Sequence, residues 1–199
     1  MTDIFAQIFQ MIKLGGIAIY PLSLLFITTL ALILDKILFY RKSGRLPKKL
    51  PDLNELESVL SRLEARNIYR QFFLVILQNK NQPIWWLESR AADEAKLIEK
   101  NLAQGLWILE TITTAAPLLG LLGTIIGMMS SFKLMGAETL LNPTGITAGV
   151  AEALIATAFG LLIAIFSLFA FNYFSRRQDE ALDDLERLGT GLIDQIKLH

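Results

Sequence analysis

The 199-residue chain has no cysteine, and its single histidine, His199, is the last residue. The absence of cysteine excludes a disulfide framework, thiol catalysis and cysteine metal sites. One terminal histidine gives no basis for imidazole catalysis or for a zinc centre. We therefore expect no enzyme, no cofactor and no metal site.

An excess of charge of one sign is also lacking. Lysine plus arginine and aspartate plus glutamate both number 19, so the net charge favours no nucleic-acid partner. A phosphate-binding Gly-x4-Gly-Lys-Ser/Thr loop is absent, because the stretch from Gly120 to Gly127 has no lysine and lies in an apolar run. We therefore do not expect an ATP-driven pump. A small-solute transporter would normally need more spans, or inverted repeats.

What the chain does contain is three long apolar runs, in a sequence that is 53% hydrophobic. They cover residues 17–34, 106–132 and 146–173, and at ~1.5 Å per residue each can cross a bilayer. The first run stops at Asp35-Lys36, which we expect to form an ion pair at the membrane boundary that contributes little stability. Asn142-Pro143 predicts a turn that places proline near the start of the third helix. The short loop between the second and third runs predicts an antiparallel hairpin.

Basic residues predict the orientation of these spans. Those that follow the first and third runs are Lys36, Arg41, Lys42, Arg45, Lys48, Lys49, Arg176 and Arg177. The loop between the second and third runs has only Lys133 and Glu138. Because positive side chains stay on the cytoplasmic side, we expect the N-terminus outside and the C-terminus in the cytoplasm.

The spans and their flanks predict four segments. Residues 1–35 would hold an interfacial amphipathic helix, over 4–12, and the first span. Residues 36–105 would form a cytoplasmic helical insert, 106–174 the transmembrane hairpin and 175–199 a cytoplasmic C-terminal helix. No strand pattern is present, so the predicted fold class is all-α: a three-span integral membrane protein with long helices extending into the cytoplasm.

Within the insert, three helical stretches are predicted. Asp52-x-x-Glu55 is a capping signal for a helix that has Leu56, Val59, Leu60 and Leu63 on one face, and a second apolar stretch runs from Ile68 to Leu77. Apolar residues repeat every three or four positions from Leu87 to Leu102 and continue into the second span. This pattern predicts one unbroken helix over about 86–132.

Small and hydroxyl residues form a face on each of the last two spans. They are Thr113, Pro117, Gly120, Thr124, Gly127 and Ser131 in the second span, and Ala153, Thr157, Gly160, Ala164 and Ser167 in the third. Small residues at this spacing let membrane helices approach closely, and Gly123-x-x-x-Gly127 fits the same pattern. We therefore assign helix packing to Pro117, Gly120, Gly123, Gly127 and Gly160.

Thr124, Thr157 and Glu152 are the candidate functional residues. Counted from the outer loop, both threonines lie roughly 12–17 Å deep, which suits a wet, narrow lumen. The alternative is that each hydroxyl bonds the carbonyl four residues earlier in its own helix. Glu152 is a carboxylate inside a membrane helix, where burial is costly and usually marks an ion path. It either titrates or accepts hydrogen bonds between subunits and stays structural.

These residues resemble the ExbB/TolQ/MotA family of proton-channel subunits. One matching stretch runs from Thr111 to Phe132, around Pro117-Leu-Leu-Gly120-Leu-Leu-Gly123-Thr124-Ile-Ile-Gly127, and the other from Gly149 to Gly160, around Glu152-Ala-Leu-Ile-Ala-Thr157. With the first span, the resemblance covers about half of the chain. Two departures are Asp35-Lys36, where the family more often has Glu-Arg, and Ala148-Gly149, where it usually has Pro-Gly.

The resemblance, which is strongest to ExbB, implies a homo-oligomeric ring in the bacterial inner membrane, pentameric in this family, with a periplasmic N-terminus. The ring would enclose single-span helices of an ExbD-like partner that carries an intramembrane aspartate. It implies that the family's pore threonines correspond to Thr124 and Thr157 and its span-three glutamate to Glu152. The complex would act with a TonB-like protein in transport across the outer membrane. A TolQ-like role in envelope maintenance and a non-conducting scaffold are the alternatives.

Overall fold

The computed structural model describes residues 16–42, 56, 58, 60–61, 67–137 and 143–198. Every regular element in these ranges is an α-helix, which confirms the all-α prediction. Five helices are described over continuous ranges: α1 (Ile19–Lys42), α2 (Ile68–Gln78), α3 (Ile84–Ala103), α4 (Leu106–Ala137) and α5 (Pro143–Leu198). Residues 56, 58, 60 and 61 are helical as well. Within the part of the chain that the structure describes, three helical stretches are long and apolar enough to cross a membrane: Ile19–Arg41, Ile84–Lys133 and Thr147–Leu198. The chain is therefore a multi-pass membrane protein.

Some predictions concern residues outside these ranges. They are the interfacial helix over 4–12, the capping signal at Asp52-x-x-Glu55, and Val59, Leu63, Glu138 and Asn142. Pro143 is the first residue of α5, where its missing N–H costs no helical hydrogen bond. From there α5 continues through the predicted third span into the predicted C-terminal helix as one element of 56 residues.

The predicted unbroken helix over 86–132 is wrong, because the chain turns at Gln104 and Gly105. Gln104 ends α3 with ψ 124°, and Gly105 has φ 81°. This left-handed conformation suits glycine and terminates helices, and α4 starts anew at Leu106. The apolar spacing continues across the turn, so the periodicity did not reveal it.

Lys36 stabilises the end of α3. Its side chain is only 3% exposed, and its ammonium donates a 2.7 Å hydrogen bond to the carbonyl of Leu102, one of the carbonyls that the end of a helix leaves free. The predicted boundary ion pair of Lys36 with Asp35 is not found in the described part of the chain. The apolar run ends before this pair, and the helix α1 continues beyond it to Lys42.

The chain folds into two compact units. The first comprises residues 1–33 and 107–171, and the second comprises 34–106 and 172–199. In the second unit the predicted apolar faces meet in one core that includes Leu56, Leu60, Phe72, Phe73, Ile76, Leu87, Ile98, Leu102, Leu185, Leu188 and Leu192. The C-terminal part of α5 thus packs against α2 and α3. The first unit contains the candidate site.

Candidate functional site

The site is built on three helices whose directions follow from their contacts. Along α4 from Leu109 to Ser131, the partner residues on α5 run backwards from Ser167 to Gly149, so the two helices are antiparallel. Gly16, in the turn that leads into α1, lies beside Glu152, and Phe26 packs against Phe159 with ring centroids 5.7 Å apart. The helix α1 therefore runs in the same direction as α5.

The approach of α4 to α5 is closest at two glycines. A Cβ on Gly160 would lie 2.5 Å from the carbonyl oxygen of Ala116, and one on Gly120 would lie 3.0 Å from the Cα of Thr157. Neither position has room for a side chain, because the obstacle is backbone. Further along, Gly127 lies against Ala153 in the same way. The two backbones therefore touch along the predicted small-residue faces.

Gly123 brings α1 into the same contact. A Cβ there would lie 2.8 Å from the methyl groups of both Ala18 and Ala156. Leu22, one turn further along α1, is fully buried in a cluster with Ile112, Ala116, Ala156 and Ile163. Of the five residues assigned to packing, the four glycines lie at helix contacts, and Pro117 is half-buried inside α4.

Thr157 donates its hydroxyl proton to the neighbouring helix. Its Oγ1 lies 2.9 Å from the carbonyl oxygen of Gly120. The alternative in which each threonine bonds a carbonyl of its own helix therefore does not describe Thr157. The hydroxyl closes a contact between α4 and α5 at the point where their backbones approach most closely.

Thr124 behaves differently. Its Oγ1 donates to the carbonyl of Leu121, three residues earlier in the same helix, at 2.6 Å. Thr124 lies about one turn along α4 from Gly120, the residue that Thr157 contacts, and both threonine side chains are only half-buried in the single chain. With their protons donated, the two hydroxyls offer acceptor lone pairs to an incoming group.

Ser167 makes a second hydrogen bond from α5 to α4, which the sequence pattern did not predict. Its Oγ donates to the carbonyl oxygen of Leu109 at 2.7 Å, and the Oγ1 of Thr113 approaches that oxygen at 3.0 Å. Pro117, four residues after Thr113, has no N–H to give to the Thr113 carbonyl. The only sequence signal was that Ser167 continues the spacing of the small-residue face.

Glu152 lies at the start of α1. Its Oε1 occupies the position that a Cβ on Gly16 would need, and Gly16 has φ 60°. Two outcomes were left open for this residue, titration and hydrogen bonding between subunits, and its contact with Gly16 is within one subunit. The structure places Glu152 against Gly16, whereas Thr157 bonds to Gly120 and Thr124 bonds within its own helix, and all three belong to the same compact unit.

The chemistry available at the threonine level is limited. Between Pro143 and Asp179, Glu152 is the one carboxylate of α5, and α4 has Glu110 alone. Glu152 precedes Thr157 by about 7.5 Å along the helix, and Glu110 lies further from Thr124. At that level the chain offers hydroxyl and carbonyl oxygens, which can accept hydrogen bonds but cannot store a proton.

The sequence of the chain is similar to those of proton-channel and transport proteins. The sequence model of the MotA/TolQ/ExbB proton channel family matches residues 64–187. An ExbB homologue of Methanothermobacter thermautotrophicus, described as a biopolymer transport protein, is 30% identical over 195 residues, which are 94% of this chain and 69% of the relative. The biopolymer transport protein ExbB of Aquifex aeolicus is 40% identical over 91 residues, 46% of this chain and 62% of the relative. An ExbB-like protein of Synechocystis is 28% identical over 193 residues, 89% of this chain and 74% of the relative.

Proposed function

This chain belongs to the MotA/TolQ/ExbB proton channel family and is most like ExbB, and on that premise we propose that it is the ring-forming subunit of a motor driven by the proton-motive force. The ring, a pentamer of this chain, lies in the bacterial inner membrane with the N-terminus in the periplasm and the C-terminus in the cytoplasm. It surrounds single-span helices of an ExbD-like partner. Together with a TonB-like protein, the complex energises transport across the outer membrane.

The observation that carries this proposal is a pair of half-buried threonines that lie within about one helical turn of each other along the span. Thr157 and Thr124 have donated their protons to carbonyls and retain acceptor lone pairs. A group that brings its own proton, such as the protonated carboxyl of an ExbD-like aspartate, can bond to them. Since this chain has no carboxylate there, the proton carrier must come from the partner.

The free energy released by one proton is small, but it is enough to shift an equilibrium set by a few hydrogen bonds. One proton that crosses the membrane releases about 2.3 kcal/mol per 100 mV. Loss of a single hydrogen bond changes an equilibrium by about 1 kcal/mol. Protonation and deprotonation of the partner's acid against Thr124 and Thr157 can therefore bias a step of the partner inside the ring. The outer end of the path is the level of Glu152, which either titrates or holds the structure.

A scaffold without conduction is the second candidate, and one observation favours it. The close contacts of Gly120, Gly123, Gly127 and Gly160 are fully used by packing within one subunit. In that case the hydroxyls serve only to hold the helices together, and Thr157 and Ser167 have the same role, since each donates a hydrogen bond from α5 to α4. A TolQ-like role in envelope maintenance uses the same ring and differs in the partner.

The test compares Thr157→Val with Ser167→Ala. Each removes one hydroxyl that bonds across from α5 to α4, but only Thr157 belongs to the threonine level. We expect Thr157→Val to abolish energised uptake while the complex still assembles, Thr157→Ser to retain it, and Ser167→Ala to retain most of it. Equal loss in Thr157→Val and Ser167→Ala would support the scaffold.

Purification of the native complex tests the partner. Mass spectrometry should identify a small single-span protein with an aspartate in its span and a periplasmic domain. The type of periplasmic domain separates TonB-dependent transport from envelope maintenance. Isolation of this chain alone, as a closed ring, contradicts the motor.

A further inference from the structure

We propose that Glu152 is a positioning residue whose carboxylate holds the first turn of α1 against α5, and that it is not a proton carrier. The inference concerns the site of the proposed function and rests on that function only where motor activity is the readout. It resolves the choice that the sequence left open, between titration and structure, and identifies Gly16 as the residue through which Glu152 acts.

The contact between the two residues leaves no room for any other side chain. Three atoms of Glu152 crowd the place of a Gly16 Cβ: Oε1 occupies it, Cδ lies 2.6 Å away and Cγ 3.2 Å away. Gly16 also has φ 60°, a conformation that side chains with a Cβ rarely adopt. Glycine is therefore required twice, once by the backbone and once by the carboxylate.

The electrostatics of the α1 start favour a carboxylate at this place. Gly16 begins the turn that leads into α1, since the N–H of Ile19 donates to its carbonyl at 3.2 Å. The first N–H groups of a helix have no carbonyl partner within it and carry partial positive charge. The first turn of α1 has no acidic residue of its own. The acidic side chain that lies beside this turn is that of Glu152, which comes from α5.

The contact extends from Glu152 towards the threonine level. Ala18, two residues after Gly16, packs against Gly123, which directly precedes Thr124 in α4. Ile19 and Leu22 of the same turns are buried. When Glu152 fixes Gly16, it therefore also fixes the part of α1 that supports Gly123. Displacement of the carboxylate would loosen this support without removing either threonine hydroxyl.

The test compares Glu152→Gln, Glu152→Ala and Gly16→Ala in the full complex in liposomes. Two quantities are measured: proton flux, with a pH-sensitive dye, and hydrogen exchange of the amides of residues 17–20. We expect Glu152→Ala and Gly16→Ala each to speed that exchange about tenfold. Both should lower proton flux, although Gly16→Ala leaves every carboxylate in place. Glu152→Gln keeps the shape of the side chain and one acceptor oxygen. It should therefore retain part of the proton flux and part of the protection of residues 17–20 from exchange.

The opposite results overturn the proposal. If Glu152 is a proton carrier, Glu152→Gln abolishes proton flux. In that case Gly16→Ala shows normal hydrogen exchange at residues 17–20 and normal proton flux. Unchanged exchange in Glu152→Ala, where Gly16 is intact and folding is less at risk, contradicts the positioning role directly. Val150→Ala, an exposed change one turn before Ala153 on the same helix, is the control and should alter neither quantity.

Failure of the proposed function gives a different result. If the wild-type complex conducts no protons, the motor is wrong, but the exchange measurement still decides whether Glu152 holds α1. If the Glu152→Ala and Gly16→Ala effects on exchange are not additive in the double variant, the two residues act as one unit. Additive effects would mean that they act separately, which contradicts the proposal.

Discussion

In the described part of the unit that holds residues 107–171 and the start of α1, glycines and alanines make the closest helix contacts and many leucines and phenylalanines are exposed. In the unit that holds α2, α3 and the end of α5, leucines and phenylalanines form most of the core. Leu118 and Phe169 of the first unit are 66% and 70% exposed, whereas Ala116 and Ala156 are buried. In the second unit Leu87, Leu188 and Phe73 are fully buried. Its exposed helix faces carry ion pairs such as that of Lys197 with Glu88.

The difference reflects the solvent that each unit meets. Lipid is as apolar as leucine, so membrane helices gain little from burying large side chains and associate through close packing and hydrogen bonds. In water, burial of apolar surface is itself the driving force, at roughly 25 cal/mol per Å². The closest helix contacts of the first unit are therefore made by small residues, whereas the core of the second unit is made mostly of large ones.

The largest expected effect tests the second unit. Leu188→Ala removes a fully buried side chain from the core and leaves a cavity, so we expect a loss of about 2–5 kcal/mol of stability. Leu161→Ala, on the exposed face of α5 in the first unit, should cost far less in detergent or lipid. Thermal unfolding followed by circular dichroism measures both. Equal losses would mean that the two units do not differ in what holds them together.

The next effect tests the first unit. Gly160→Leu forces a side chain against the carbonyl of Ala116, where even a Cβ would lie 2.5 Å away. Overpacking of this kind costs typically about 1–3 kcal/mol. The cost should appear as faster hydrogen exchange in α4 near Ala116. Gly189→Ala in the second unit is the matched control, because its Cβ would meet the ring end of Phe72, a side chain that can move. A Gly160→Leu protein with normal exchange would refute the close-packing account.

The smallest effect concerns alkaline pH in the second unit. Burial of Tyr69, and then the negative charge of Asp184, raise the pKa of its hydroxyl to about 12. The stability this provides is complete below the unfolded pKa, about 10, and is lost as pH rises through about 12. Tyr69→Phe removes the ionisable group, so its alkaline unfolding should move to higher pH. Helix content followed against pH measures the shift; an unchanged midpoint would show that Tyr69 does not limit alkaline stability.

Much of the fold was readable from local patterns. The apolar runs, the repeats in α2 and α3 and the continuation of α5 beyond its span are all periodicities within one helix, and all appear in the structure. The turn at Gly105 was not predicted because a single left-handed glycine does not interrupt the apolar spacing. Lys36 was expected to pair with its neighbour, but burial beside Leu102 gave it a carbonyl instead.

The site was less predictable, because its contacts join residues far apart in the chain. Spacing alone placed Thr124 and Thr157 on small-residue faces. It did not indicate that one hydroxyl would bond across to Gly120 and the other within its own helix. Nothing near Glu152 in the sequence points to Gly16. Both contacts depend on how the helices of the first unit meet, which periodicity does not specify.

The turn at Gln104 and Gly105 also decides which changes in chain length the protein can tolerate. Within a continuous helix, each added or lost residue rotates everything beyond it by about 100°. Because the helix is interrupted at Gly105 and α4 starts anew at Leu106, a residue added to or lost from α3 does not rotate α4. Thr124 then keeps its direction about the axis of α4. Helix α5 has no such reset between Pro143 and Leu198. We therefore expect length variation among related chains to be frequent before Gly105 and rare within α5.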